Sequence, residues 1–204
     1  RLNIHRIKDG FHTDIHGNDL MYWNQVHARS HLVETHNEDK IRAVYGVPKL
    51  LLMAECMFLW PIINHLLMNT SGPMLWGSET LQGGWYSLYN WFSQGDSHYS
   101  TFLAFDWKQF DKRTQFELVD MAHTILRSYL TFTEGYVPTT DYPHTATNPQ
   151  RLQRLWDWMC TAIKSTPDVL PNGDCYIRQH AGIASGYFQT PHLTPYDILQ
   201  YTSQ

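Results

Sequence analysis

The chain has 204 residues, 43% of them hydrophobic and 14% aromatic, with a formal net charge of −4. That length and apolar share support one large or two small folded domains and exclude a chain disordered by composition. The mild negative balance excludes a basic field spread over the whole chain, so any nucleic-acid-facing surface must be local.

Residues 1–36 are mixed and show no clear period. Residues 37–48 are polar and basic, with Lys40, Arg42 and Lys49 beside the β-like run Ala43-Val44-Tyr45-Gly46-Val47. Alternation across Lys40-Ile41-Arg42-Ala43-Val44 sets both cations on one face of a strand. Residues 50–68 are strongly apolar and read as a buried helix, kinked or restarted at Pro61. Glu55, Pro61, Asn64 and His65 inside that run argue against lipid exposure, so no membrane partner is expected.

Residues 69–84 are loop-like, holding Ser71-Gly72-Pro73 and Gly83-Gly84. Residues 85–92 are aromatic and predicted helical. Residues 99–105 read as a short buried strand. Residues 114–131 form the next predicted helix, with Phe116, Val119, Met121, Ile125, Leu126 and Leu130 near helical spacing. Residues 136–149, rich in Thr and Pro, are read as irregular. Residues 151–163 predict an amphipathic helix with Leu152, Leu155, Trp156 and Met159 on one face. A loop over 167–174 and a strand-like 175–178 follow, with no internal repeat anywhere.

Three cysteines, Cys56, Cys160 and Cys175, are odd in number and far apart, which argues against a disulfide framework and fits a reducing interior. The chain begins at Arg1, resembles no signal peptide there, and is expected to be a piece of something longer. Of its twelve histidines, His5, His12, His16, His27, His31 and His36 crowd the first part. A metal hydrolase would use such residues, but no His-Glu-x-x-His or comparable ligand spacing occurs.

The run Phe102-Leu103-Ala104-Phe105-Asp106-Trp107-Lys108-Gln109-Phe110-Asp111 carries the strongest chemical signal. A strand ending in Asp106 can present that carboxylate to a cleft, and Asp111, near a helix start, can face the same cleft. Hard cations such as Mg²⁺ take oxygen ligands of this kind together with substrate phosphates. The plainer reading is a strand end and a helix cap. Arg42, with its planar fork, and Lys40 and Lys49, as point charges, suit a triphosphate, although a solvated hairpin face would look the same. Gly182-Ile183-Ala184-Ser185-Gly186 is a small-residue loop that lets backbone approach a substrate, with hydroxyls at Ser185 and Thr190.

Taken in order, these parts resemble the viral RNA-dependent RNA polymerases of partitivirus type. The resembling stretches are Lys40-Ile41-Arg42-Ala43-Val44-Tyr45-Gly46-Val47-Pro48-Lys49 and Leu52-Met53-Ala54-Glu55-Cys56-Met57-Phe58-Leu59-Trp60-Pro61. Further on, Trp76-Gly77-Ser78-Glu79-Thr80-Leu81-Gln82-Gly83-Gly84-Trp85, Asp106-Trp107-Lys108-Gln109-Phe110-Asp111 and Gly182-Ile183-Ala184-Ser185-Gly186 continue it. The resemblance implies an α+β fold, the fingers and incomplete palm of a right-hand polymerase, helix-rich with a small antiparallel palm sheet. It implies a fingers region over 1–98, a partial palm over 99–190 and an atypical tail over 191–204.

By the same resemblance, Arg42 matches the arginine over the incoming triphosphate, helped by Lys40 and Lys49. Asp106 matches the first palm aspartate, a ligand of a catalytic Mg²⁺ (or Mn²⁺) pair. Asp111 matches the residue that reads the ribose 2′-hydroxyl, while Ser185, Gly186 and Thr190 match the loop positioning template and nascent base pair. The implied reaction is attack of a 3′-hydroxyl on a nucleotide's α-phosphate, by two-metal catalysis, with pyrophosphate leaving. The implied partners are template and product RNA, ribonucleoside triphosphates and, in a virion, capsid protein; the implied location is a virion interior or host cytoplasm.

The chain departs from the family twice. No Gly-Asp-Asp turn follows the Ser-Gly loop, and Gly173-Asp174 lies upstream and continues into Cys175. Thr194-Pro195 stands where an Asn or Asp followed by Ser is expected. A truncated, frameshifted or host-captured viral sequence would look like this, inactive by itself. The competing expectation is a non-catalytic fragment that holds RNA through its basic surface.

Overall fold

Apolar residues at helical spacing build most of the folded part of the chain. A computed structural model describes residues 2–31, 36, 40–68, 83–95, 109–133, 140 and 148–188. Two compact units divide the chain, one of residues 1–60 and 110–204, the other of residues 61–109.

The first unit contains α1 (Leu2–Lys8), α4 (Phe110–Arg113), α5 (Phe116–Ser128) and α6 (Pro149–Ser165), together with the start of α2 (Lys49–Met68). Helix α6 is its centre. Asn148 caps it, its side chain accepting from the backbone N–H of Gln150 at 3.0 Å and of Arg151 at 3.2 Å, and Pro149 opens the first turn. Leu152, Leu155, Trp156, Met159, Ala162 and Ile163 are buried as the spacing predicts, and Trp158 is buried with them.

Helices α1 and α5 both pack on α6, burying Ile4 and Ile7 from one and Val119, Ala122 and Leu126 from the other. Arg151 Nε lies 2.8 Å from Asp9 Oδ1, and Arg154 donates to the Lys8 carbonyl at 3.1 Å, so charged groups fasten α6 to the end of α1. Phe58 meets the Trp156 ring edge-on at 5.3 Å and the Phe132 ring at 5.6 Å. Ring pairs of this kind add about 0.5–1.5 kcal/mol beyond the area they bury.

Helix α2 runs as one helix through Pro61, so of the kink or restart expected there the restart does not occur. An interior proline costs about 3 kcal/mol. Leu51, Phe58 and Leu59 on the same helix are almost fully buried, and each large apolar side chain contributes roughly 1.5–3 kcal/mol. Packing therefore outweighs the proline. In the second unit the described residues are the end of α2, the turn into α3 (Gly84–Gly95), α3 itself and Gln109; Trp85, Tyr86 and Tyr89 of α3 are exposed. Among the described residues, no helix is long and apolar enough to cross a membrane.

The sheet has four strands in the order β2-β1-β3-β4. Strand β1 (Asn24–His31) pairs antiparallel with β2 (Lys40–Gly46), from Gln25 opposite Gly46 to His31 opposite Lys40. Strand β3 (Asp168–Val169) lies parallel to β1 and antiparallel to β4 (Cys175–Tyr176). The described sheet is therefore mixed, with β1 and β3 as its parallel neighbours. Two of its strands come from places read differently in the sequence: β1 from the stretch without a period, β3 from the predicted loop. Asn172-Gly173 turns β3 into β4, with Gly173 at φ 91° in the left-handed region that glycine tolerates. The strand expected over 99–105 lies outside the described residues, as do most of 69–84 and of 136–149.

Burial also sets cysteine chemistry. The Cys160 thiol is pushed up to about 12, first by burial and then by the Asp157 and Asp120 carboxylates. Cys175 is exposed. Alkylation at pH 8 is expected to label Cys175 well before Cys160, read by mass spectrometry of peptides; equal rates would contradict this packing. An unfolded chain releases the Cys160 proton near the ordinary 9.0, while the folded chain keeps it to about 12. Stability contributed by this group is thus fully present below pH 9 and lost as pH rises from 9 to 12.

Candidate functional site

The Ser-Gly loop is seated from four directions. Gly186 rests on β2: a Cβ added there would stand 2.2 Å from the Tyr45 carbonyl oxygen and 3.1 Å from Val47 Cγ1. Only a residue without a side chain fits that approach. The Tyr187 ring is buried and its hydroxyl accepts from Asn24 Nδ2 of β1 at 3.0 Å. The Phe188 N–H donates to Glu55 Oε2 of α2 at 3.2 Å, and the Phe188 ring stacks on Trp60 at 5.6 Å. Arg178 Nη1 donates to the Gly182 carbonyl at 3.1 Å.

A second set of bonds ties the loop to the segment carrying Asp111. Helix α4 is a single turn, and the Asp111 carbonyl accepts from Ile183 N at 2.7 Å. Thr114 O accepts from Gly182 N at 2.9 Å, Phe116 N donates to His180 O at 3.0 Å, and Gln115 bridges Ala181. Two segments far apart in sequence thereby run side by side. Just before α4, Gln109 has φ 56°, the positive-φ non-glycine residue among those described. Such a backbone costs of order 1–3 kcal/mol and persists only where its surroundings impose it.

Below the loop lies a polar network that sequence reasoning missed. Asn24, fully buried, donates to Asp168 Oδ1 at 2.8 Å as well as to Tyr187. Arg178 Nε lies 3.4 Å from Asp168 Oδ2, a charge contact whose geometry falls short of a hydrogen bond. Arg178 Nη2 donates to the Thr166 carbonyl at 3.0 Å. Burial raises the Tyr187 phenol above its ordinary value, and Arg178 and its hydrogen-bond partners oppose that. Burial likewise raises Tyr45, helped by the nearby Asp168 and Asp111 carboxylates. The missed signal was the Asn-Gly pair between 168 and 178, which marks a hairpin able to face an acid with a base.

The predicted site residues are placed as follows. Gly186 rests on the Tyr45 carbonyl of β2 and the Asp111 carboxylate bears on the Tyr45 phenol, while Ser185, next to Gly186, is exposed. Arg42 is exposed on the same strand, three residues from Tyr45 and so on the opposite sheet face. Lys49 is exposed at the start of α2, and Lys40 occupies the first position of β2. Asp106 and Thr190 lie outside the described residues. Of the two carboxylates beside Tyr45, Asp168 is taken up by Asn24 and Arg178, which leaves Asp111. Among the described residues no three metal-ligating side chains form a cluster.

Residues 13–191 match the family described as viral RNA-dependent RNA polymerase. The chain is 37% identical, over 93% of its length and 32% of the relative's, to an RNA-directed RNA polymerase of White clover cryptic virus 1 (isolate Boccardo/2004). It is 23% identical, over 95% of its length and 34% of the relative's, to an RNA-directed RNA polymerase of Atkinsonella hypoxylon virus (isolate 2H). The chain thus spans about a third of the length of these curated relatives. No solved structure matches it. With the match covering most of its residues, the chain belongs to the viral RNA-dependent RNA polymerase family.

Proposed function

We propose that this chain is the nucleotide-entry part of an enzyme that copies viral RNA, joining a 3′-hydroxyl to the α-phosphate of a ribonucleoside triphosphate and releasing pyrophosphate. The meeting of Asp111 and the Ser185-Gly186 loop around Tyr45 of the basic strand supports it most directly. In this reading Arg42, Lys40 and Lys49 hold the triphosphate, Arg42 through bidentate bonds and the lysines as point charges. Asp111 accepts a hydrogen bond from the ribose 2′-hydroxyl, the group that separates ribonucleotides from deoxyribonucleotides. Ser185, Gly186 and Thr190 position template and nascent base pair.

Asp106, with Asp111 nearby in sequence, is proposed as the ligand for Mg²⁺ or Mn²⁺, since such ions take one or two carboxylates plus substrate phosphates. When bound, the ion supplies charge neutralisation at the triphosphate. The chain contains no Gly-Asp-Asp run to add a further carboxylate. The 204-residue chain alone is therefore expected not to extend a primer in the presence of Mg²⁺, and measurable extension would refute this.

Nucleotide binding tests the site without requiring turnover. A 2′-hydroxyl hydrogen bond worth about 1 kcal/mol corresponds to roughly fivefold tighter binding of a ribonucleoside triphosphate than of its 2′-deoxy counterpart. Asp111→Ala is expected to abolish that preference, and Arg42→Ala to weaken both ligands alike. If titration finds no preference in the parent chain, or the same preference after Asp111→Ala, the assignment fails.

A further inference from the structure

Tyr45 stands where the basic strand, the Ser-Gly loop and the segment carrying Asp111 meet. Its side chain is half-buried and shares a sheet face with Val26, its register partner on β1, and with Asn24 two residues earlier. Val26 and Asn24 are buried there, and Asn24 makes the bonds to Asp168 and Tyr187. The Tyr45 backbone lies against Gly186, while the Asp111 carbonyl holds Ile183 in the same loop at 2.7 Å. The phenol interacts with two carboxylates, Asp168 and Asp111, and with the Arg178 guanidinium. Burial first, then those carboxylates, keep it protonated against the pull of Arg178, so it is a hydrogen-bond donor to its neighbours.

We infer that Tyr45 is a positioning residue for Asp111: its hydroxyl donates to one oxygen of the Asp111 carboxylate and leaves the other for the ribose 2′-hydroxyl. The inference rests on the role proposed for Asp111 and deepens it by naming what fixes the acceptor. A phenol has one proton to donate. Asp168 already accepts from Asn24 at 2.8 Å and faces the Arg178 charge, so Asp111 is the carboxylate that gains more from that proton. The Asp111 side chain is half-buried on a single-turn helix, and its carboxylate turns about two side-chain bonds. Ordering such a group only when nucleotide arrives costs roughly two- to fivefold in affinity. That cost falls on the ribonucleotide alone, because a 2′-deoxynucleotide makes no bond to the carboxylate. A donor already in place removes it. The Tyr45 hydroxyl therefore acts on discrimination between the two sugars rather than on nucleotide affinity as a whole.

The test titrates the parent chain, Tyr45→Phe, Asp111→Ala and the double variant with a ribonucleoside triphosphate and with its 2′-deoxy counterpart. Phe keeps the ring and its packing and removes only the hydroxyl. The preference is a ratio of two affinities measured on one chain, so a variant that folds less completely lowers both and leaves the ratio. Tyr45→Phe is expected to lower the preference from roughly fivefold to about twofold, with deoxynucleotide affinity unchanged. In the Asp111→Ala background the same change is expected to leave the ratio where it is. A Tyr45→Phe chain that keeps the parent preference overturns the inference, whether or not it weakens both ligands alike. So does a double variant whose ratio differs from that of Asp111→Ala, since Tyr45 would then act without Asp111. A parent chain with no preference sinks the role of Asp111 and this inference with it, whereas a preference lost in Asp111→Ala but kept in Tyr45→Phe sinks this inference alone.

Discussion

Arg178→Met is expected to destabilise the first unit by about 3 kcal/mol, the lower end of the cost of stranding one member of a buried ion pair. The guanidinium and the Asp168 carboxylate are each only 13% exposed, so water screens them little. Removing the guanidinium leaves Asp168 charged with Asn24 as its remaining partner, and takes the donors from the Gly182 and Thr166 carbonyls. At 150–250 residues such a loss corresponds to a fall in Tm of roughly 6–12 °C. Adding Asp168→Asn removes the stranded charge, so the double variant is expected to melt above Arg178→Met alone. A double variant whose loss equals the sum of the two singles would show that the pair is not coupled.

Gly186→Ala is the second large effect. Its Cβ would stand 2.2 Å from the Tyr45 carbonyl oxygen, a backbone atom inside a paired strand that cannot swing aside. Either the loop lifts or β2 shifts, at about 1–3 kcal/mol for overpacking of this kind. The loop is the softer side, so amide exchange at 183–188 is expected to accelerate more than exchange in β2. Ribonucleotide preference is expected to fall with it, because the Ile183 bond to the Asp111 carbonyl ties the two segments together. Unchanged exchange in the loop would mean that Gly186 is not held against Tyr45.

Local pattern made much of the helical part legible. Spacing alone puts Leu152, Leu155, Trp156 and Met159 on one helix face, and all four are buried. Helix α5 is shorter than predicted at both ends, Phe116–Ser128 within 114–131, because helix ends depend on capping rather than on the apolar stripe. The basic strand over Lys40–Gly46 was readable from its alternation. Strand β4 falls within the strand-like 175–178, whereas β3 has two residues inside a predicted loop, too few for any period to register.

From its own letters the chain determined its family, through motifs in a fixed order, and the helices whose apolar positions repeat within a few residues. Only tertiary structure decided that Asn24 would donate to Asp168 across 144 residues, that β1 would lie parallel to β3, and that the Ser-Gly loop would sit on Tyr45 beside Asp111. The reason is physical. A helix answers to neighbours three and four positions away, whereas a buried polar group takes whichever partner packing brings within hydrogen-bond reach, and that choice leaves no trace in local spacing.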